Sequence, residues 1–122
     1  MTIDARGNLW VAHWGGGRVT CYDPVAGRAV LEVRVPGVSR VTSCAFGGCV
    51  RVRARGGGGC GGGRDGAGRG RTRRRRPDLK DLYITTAWVG LDAAARGAQP
   101  TAGDLFVARH VGQGVPAVPY SG

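Results

Sequence analysis

Alternating apolar and polar residues mark a series of short strands, each bounded by glycine, proline or aspartate. The first clear one is Leu9-Trp10-Val11-Ala12, an apolar run with an aromatic and a β-branched residue, preceded by Asp4-Ala5-Arg6-Gly7-Asn8. In that preceding turn the Asp4 side chain can bond the backbone two residues on, and Gly7 and Asn8 tolerate positive φ. Gly15-Gly16-Gly17 breaks the run, and Arg18-Val19-Thr20-Cys21-Tyr22 follows as a second strand suited to a pleated surface. In Asp23-Pro24-Val25-Ala26-Gly27 the aspartate opens a turn, proline presets φ and glycine closes it. Residues 29–35 alternate, with Leu31, Val33 and Val35 on one face and Glu32 and Arg34 on the other. Pro36-Gly37 ends that strand, and Val41-Thr42-Ser43-Cys44-Ala45-Phe46 forms a fourth, stopped by Gly47-Gly48.

The pattern then fails. Residues 49–76 hold ten glycines and ten arginines in 28 positions, with no aromatic and no apolar periodicity. Such a stretch buries too little surface to offset chain entropy, which predicts disorder. Pro77-Asp78-Leu79-Lys80 restores ordinary turn chemistry, and residues 81–88 read as a strong strand. The alanine-rich residues 91–99 predict a helical turn or two before Pro100, and residues 104–110 a last strand. The tail, with Pro116, Pro119 and three glycines, reads as extended loop.

An internal repeat organises these pieces. Leu9-Trp10-Val11-Ala12 and Leu82-Tyr83-Ile84-Thr85 share the order Leu, aromatic, β-branched, small. Each follows a turn containing aspartate (Asp4; Asp78 or Asp81) and precedes a further short strand. Leu9 and Leu82 are 73 residues apart; without the 28 residues of 49–76 the spacing is 45. A unit of roughly 40–50 residues with about four short strands is the period of a β-propeller blade. Strand spacing alone leaves a β-sandwich open.

Charge changes the picture once it is located. The net charge of +10 belongs almost wholly to 49–76, where ten arginines face one aspartate; the other 94 residues carry eight basic and seven acidic side chains. The four cysteines, Cys21, Cys44, Cys49 and Cys60, complete no Cys-x-x-Cys or His-pair zinc pattern and fit a reducing cytoplasm. No apolar run approaches the roughly 20 residues needed to cross a bilayer, and no signal peptide is visible. Membrane association is not expected.

Residues 4–12, with Gly16-Gly17-Arg18-Val19 and Asp23-Pro24, resemble the senescence-marker-protein/gluconolactonase/regucalcin (LRE-like region) family. So do Val41-Thr42-Ser43-Cys44-Ala45-Phe46-Gly47-Gly48, Leu82-Tyr83-Ile84-Thr85-Thr86-Ala87, Gln99-Pro100 with Gly103 and Leu105-Phe106, and Pro119-Tyr120. The resemblance covers nearly everything outside 49–76. It implies an all-β, six-bladed propeller of which this chain holds about two C-terminal blades. It also implies hydrolysis of sugar lactones with a divalent cation, calcium or zinc, held by Glu, Asn and Asp from different blades. The family's metal aspartate lies in a Pro-Asp-Gly run just before the segment matched by Met1-Thr2-Ile3-Asp4, so the chain starts two residues too late to contain it. Asp4 matches the motif's second aspartate, which is not counted as a ligand.

Lactone opening in such a site needs a Lewis acid to polarise the carbonyl and activate water, and a carboxylate base. No catalytic, cofactor-binding or metal-ligating residue is therefore assigned to this chain, which is expected to bind no cation and to be inactive alone. Ser43 and Cys44 lie within a strand, where packing is their expected role. His13 and His110 occupy corresponding late strand positions and lack partner motifs, so they are expected at the channel or the surface. Trp10, Trp14 and Trp88 are expected in the core or on blade faces. Gly15-Gly16-Gly17 lacks the lysine and helix of a phosphate loop and reads as a hairpin turn.

The chain thus divides into 1–48 (a blade and the first strand of the next), the insert 49–76, and 77–122 (the rest of the last blade and tail). Joining Gly48 to Pro77 gives an uninterrupted family sequence, so the insert looks like read-through of an unspliced intron; a spliced transcript encoding it would refute that. The alternative is an Arg/Gly-rich, non-specific nucleic-acid-binding protein, whose arginines contact phosphates with strong salt dependence. Against it, no aromatic interleaves to stack on bases. Weak polyanion binding is expected either way. Two blades cannot close a ring and would expose unpaired sheet edges and channel-facing side chains, which predicts marginal stability or aggregation.

Overall fold

The computed structural model describes residues 1–48 and 78–117. The predicted insert, residues 49–76, lies outside the described residues. The strands form two antiparallel sheets. Sheet one runs β1 (Thr2–Ile3), β2 (Leu9–His13), β3 (Arg18–Asp23) and β4 (Arg28–Arg34), in that order across the sheet. Sheet two is β5 (Val41–Gly47), β6 (Asp81–Thr86) and β7 (Leu105–Ala108). One short helix, α1 (Ala93–Ala98), sits between β6 and β7, started by Asp92, whose side chain accepts from the Ala95 amide.

Each predicted strand is present, with shifted ends. β6 stops at Thr86 rather than continuing to Trp88, and β7 spans four residues rather than seven. β1 has only two residues, too few to show a period. The turns form as their chemistry dictates. Asp23 accepts from the amides of Val25 and Ala26, and Gly27 takes positive φ. Gly17, at φ 59°, passes beneath the β4–β5 connection: a Cβ there would stand 2.7 Å from the Val38 carbonyl oxygen. Both left-handed φ and that backbone contact exclude a side chain. Gly17→Ala is therefore expected to cost about 2 kcal/mol or more, read as a lowered urea midpoint; an unchanged midpoint would contradict this geometry.

The repeat is real: Leu9 and Leu82 each lie in the second strand of a sheet, and β3 and β7 are the third strands. The pairs Trp10↔Cys21 and Ala12↔Val19 bring one face of sheet one together. On sheet two, Phe46↔Leu82, Cys44↔Ile84 and Ile84↔Phe106 do the same. These faces form the core, in which Trp10, Val19, Val41, Leu82 and Ile84 are fully buried. Across the sheets, the Trp10 and Phe46 rings meet edge to face at 5.4 Å.

The phase of the repeat carries further information. Trp10, which faces the core, matches Tyr83, whereas it is the next residue along, Ile84, and the preceding one, Leu82, that face it. Successive residues on a strand point to opposite faces. The two sheets therefore pack front to back, each using the face that its neighbour leaves open. A sandwich of two like sheets packing front to front would bury the same repeat positions twice. Front-to-back stacking is the arrangement of propeller blades.

The alternation of residues 29–35 is present in the register: Leu31 and Val33 stand opposite Cys21 and Val19, and Val35, just past β4, is buried, while Leu31 itself is exposed. A bulge between Cys21 and Tyr22 shifts the β3–β4 register beside Leu31, and β4 is the outer strand of its sheet. Trp14 and Trp88, expected in the core or on blade faces, stand exposed in connections and are covered by arginines instead. The Arg40 guanidinium lies over Trp14, and that of Arg96 lies 4.2 Å above the Trp88 ring.

Candidate functional site

The strands run between two ends. At one lie the Asp4 turn, the Asp23 turn, Gly48 and the tail; at the other lie Trp14, the β4–β5 connection and α1. Asp4 is buried and organises the first end. One carboxylate oxygen accepts from the amides of Arg6 (2.9 Å) and Asn8 (3.0 Å). The other accepts from Asn8 Nδ2 (3.0 Å) and the indole Nε1 of Trp10 (3.1 Å). Gly7, at φ 88°, lets the turn close. The Asp-x-x-Gly-Asn-Leu-Trp run is thus one device, in which four donors converge on one carboxylate.

Burial pushes the Asp4 pKa upward, and the bonds from Trp10, Asn8 and Arg6 together outweigh it, so the carboxyl titrates below its ordinary value. Asp4 is ionised and its hydrogen-bonding directions are taken. The tail closes over this turn. Gly114 forms a bridge with Asp4, the Ala5 amide donates to Gln113 O at 2.6 Å, and the Gly114 amide to Leu79 O at 2.8 Å. A Cβ at Gly112 would crowd the Phe46 and Trp10 rings, and one at Gly114 would run into the Phe46 side chain. Between this tail and sheet one lies an open cleft of about 490 Å³, lined in part by Asp4, Arg6, Asn8, His110 and Gln113.

The tail's role is missed by sequence reasoning, which gives it as extended loop. Asp81 is missed as well: it is buried at the start of β6, accepts from the His110 amide and pairs with Arg109. No local pattern marks either, because both contacts join segments far apart in the chain.

The remaining sequence candidates scatter. Ser43 is exposed in β5, whereas Cys44 is buried with its Sγ 3.5 Å from the Trp10 carbonyl oxygen. Burial pushes both the Cys44 and the Cys21 thiols up, away from the reactive thiolate. His13 ends β2, half-buried, 6.4 Å from the Tyr22 ring, and its Nε2 has no hydrogen-bond partner among the described residues. His110 lies exposed in the turn after β7, so the two histidines do not meet. Among the described residues, no three His, Cys, Asp or Glu side chains gather as a metal site would require, and no helix is long and apolar enough to cross a membrane.

The pairs Thr2↔Trp10 and Ile3↔Leu9 set the direction of β1: the chain comes from the Trp14 end and reaches Asp4 at the opposite end.

Comparisons with known proteins agree with this architecture. The profile of the family described as SMP-30/Gluconolactonase/LRE-like region matches residues 1–53. Regucalcin of Danio rerio is 37% identical over the whole of this chain, which covers 32% of that protein. The provisionally named sugar lactone lactonase YvrE of Bacillus subtilis (strain 168) is also 37% identical, again over the whole chain and 32% of its own length. A crystal structure of regucalcin from Agrobacterium tumefaciens, described as a calcium-binding protein, superposes with a TM-score of 0.63 at 27% identity, over 93% of this chain and 28% of that one. The chain spans about a third of the length of the curated relatives it matches.

Proposed function

The chain belongs to the SMP-30/gluconolactonase/LRE-like family, and from that premise we propose that it forms part of a metal-dependent sugar-lactone hydrolase. It contributes two adjacent sheets of the propeller rather than the reacting groups. The observation that carries this reading is the state of Asp4. Its four hydrogen bonds hold the turn, so it is a structural carboxylate.

The cation proposed for the hydrolase is calcium or zinc, and the described residues do not fit it. A hard cation such as calcium takes six or more oxygen ligands, and zinc takes about four N, O or S ligands. Asp4 has no unengaged carboxylate direction to offer, and among the described residues no three His, Cys, Asp or Glu side chains gather around it or elsewhere. The reacting carbonyl, water and base therefore belong to parts of the hydrolase other than these residues. The buried free thiols Cys21 and Cys44 suit work in a reducing compartment, and we assign the protein to the cytoplasm.

The test is direct. Gluconolactone opening, followed by base uptake at constant pH with added Ca²⁺ or Zn²⁺, is expected to run at the buffer rate in the presence of the purified chain. Opening that needs the metal and stops with a chelator would overturn the proposal.

A further inference from the structure

The connections that leave the second strand of each sheet differ in length. Residues 14–17 join β2 to β3, whereas residues 87–104 join β6 to β7, so 18 residues stand where the first copy of the repeat uses four. Both connections lie at the Trp14 end of the sheets, and the contrast is internal to the chain. A connection this long, with a helix of its own, exceeds what a turn requires, and such segments commonly carry function.

Its root is fixed. The Thr86 hydroxyl donates to Asp104 O at 2.8 Å and accepts from the Gly103 amide at 3.0 Å, holding the two ends together. The Ala87 amide adds a bond to Arg40 O. Beyond the root, residues 88–102 form a strap that bonds largely to itself, from Leu91 donating to Trp88 O through Ala102 donating to Gln99 O. The Arg96 guanidinium lies on the Trp88 ring within the same strap, and none of the strap's side chains joins the hydrophobic core. Among the described residues, every hydrogen bond that ties the strap beyond its root to the rest of the chain comes from two neighbours in the β4–β5 connection. Ser39 donates its amide (2.7 Å) and its hydroxyl (2.9 Å) to Gln99 Oε1. Arg40 donates from one guanidinium nitrogen to Val89 O and from the other to Gly90 O.

We propose that residues 88–102 act as a lid that lifts as one unit about its Thr86 root, with Arg40 as the latch and Gln99 as the second pin. A six-residue helix is too short to persist by itself, so the order of the strap depends on those pins. A segment held by polar contacts rather than by the core opens locally, at a lower cost than global unfolding. The latch gives this end of the sheets two states. Closed, two of Arg40's guanidinium donors are occupied by the Val89 and Gly90 carbonyls. Open, the same donors are free beside the Trp14 ring, over which the guanidinium rests.

Hydrogen–deuterium exchange on the full chain, read by mass spectrometry, tests this. In the wild type the hydrogen-bonded amides of 91–102 are expected to exchange at least tenfold faster than those of β5 and β6, yet at least tenfold slower than in the unfolded chain. Arg40→Met keeps an apolar stem against Trp14 and removes the donors. It is expected to speed exchange throughout α1 fivefold or more, although Arg40 makes no bond to α1, and to leave β5 and β6 within twofold. Gln99→Leu removes the other pin and is expected to speed the Leu91 amide, at the far end of the strap, by a similar factor; it carries the test should Arg40→Met lose its strand circular dichroism. A wild-type strap that exchanges in step with β5 and β6, or at the unfolded rate, overturns the proposal. So does a Gln99→Leu chain in which Leu91 is unchanged, or an Arg40→Met effect confined to the residues beside Val89 and Gly90.

Discussion

Asp4→Ala is expected to lower the stability of the folded sheets by about 3 kcal/mol, and Asp4→Asn by nearly as much. The alanine leaves the buried Trp10 Nε1–H and two turn amides without an acceptor. Hydrogen bonds to a charged group contribute roughly 1.5–3 kcal/mol each, and they are not additive. Water entering from the adjoining cleft recovers some of them at the Arg6 side, which sets the figure near 3 rather than at the sum. The asparagine variant is the sharper test because it conserves shape. Each Asp4 oxygen takes two donors, so the side-chain amide nitrogen that Asp4→Asn introduces would face a pair of N–H groups whichever way it is turned. In urea denaturation, with a slope of about 1–3 kcal/mol/M, the loss reads as a midpoint lowered by 1 M or more. An Asp4→Asn midpoint within error of the wild type would sink this account of the turn.

The same group sets an acid limit. Because the folded-state pKa of Asp4 lies below its unfolded value, its contribution is fully present above the unfolded pKa, about 3.9, and is lost as pH falls through the folded pKa. Wild-type stability is thus expected to fall in the range below about pH 4, and the part due to Asp4 is missing from the Asp4→Ala profile.

How legible this was in the sequence depended on the range of each interaction. The Asp4 and Asp23 turns and the positive φ of Gly7 are local, and aspartate and glycine announce them. The match of Leu9 with Leu82 survived an intervening insert because second strands face the same packing demands. What the sequence hid was long-range. β1 is fixed by pairing with Leu9 and Trp10, and the tail is fixed by Gly114 against Asp4. Neither leaves a period. Trp14 and Trp88 misled because a large apolar residue usually signals a core, whereas here arginines cover both rings at the surface. The site itself was legible as a motif before its meaning was: the family's aspartate pattern marks Asp4, and only the converging donors show that the carboxylate is spent on the turn.

Deleting residues 49–76 is expected to stabilise the chain by about 1.5–2 kcal/mol while abolishing its binding to polyanions. The described residues on either side of the insert already stand together: a Cβ on Gly48 would lie 2.5 Å from the Asp78 amide nitrogen, and Gly47 is the register partner of Asp81. β5 and β6 thus pair as a hairpin whose connection, residues 48–80, the deletion shortens from 33 residues to five. Loop-closure entropy scales as about (3/2)RT ln n, which gives the expected gain. The same cut removes ten arginines and one aspartate, taking the net charge from +10 to +1. We propose that the insert accounts for the chain's attraction to phosphate polymers, with a steep dependence on salt and little on sequence. Two measurements decide it: thermal or urea unfolding of the deleted chain, and retention on heparin or homopolymer RNA across a salt series. A deleted chain that unfolds more easily would show that 49–76 contributes to the fold. Sequence-selective RNA binding that vanishes with the deletion would instead make the insert a recognition element in its own right.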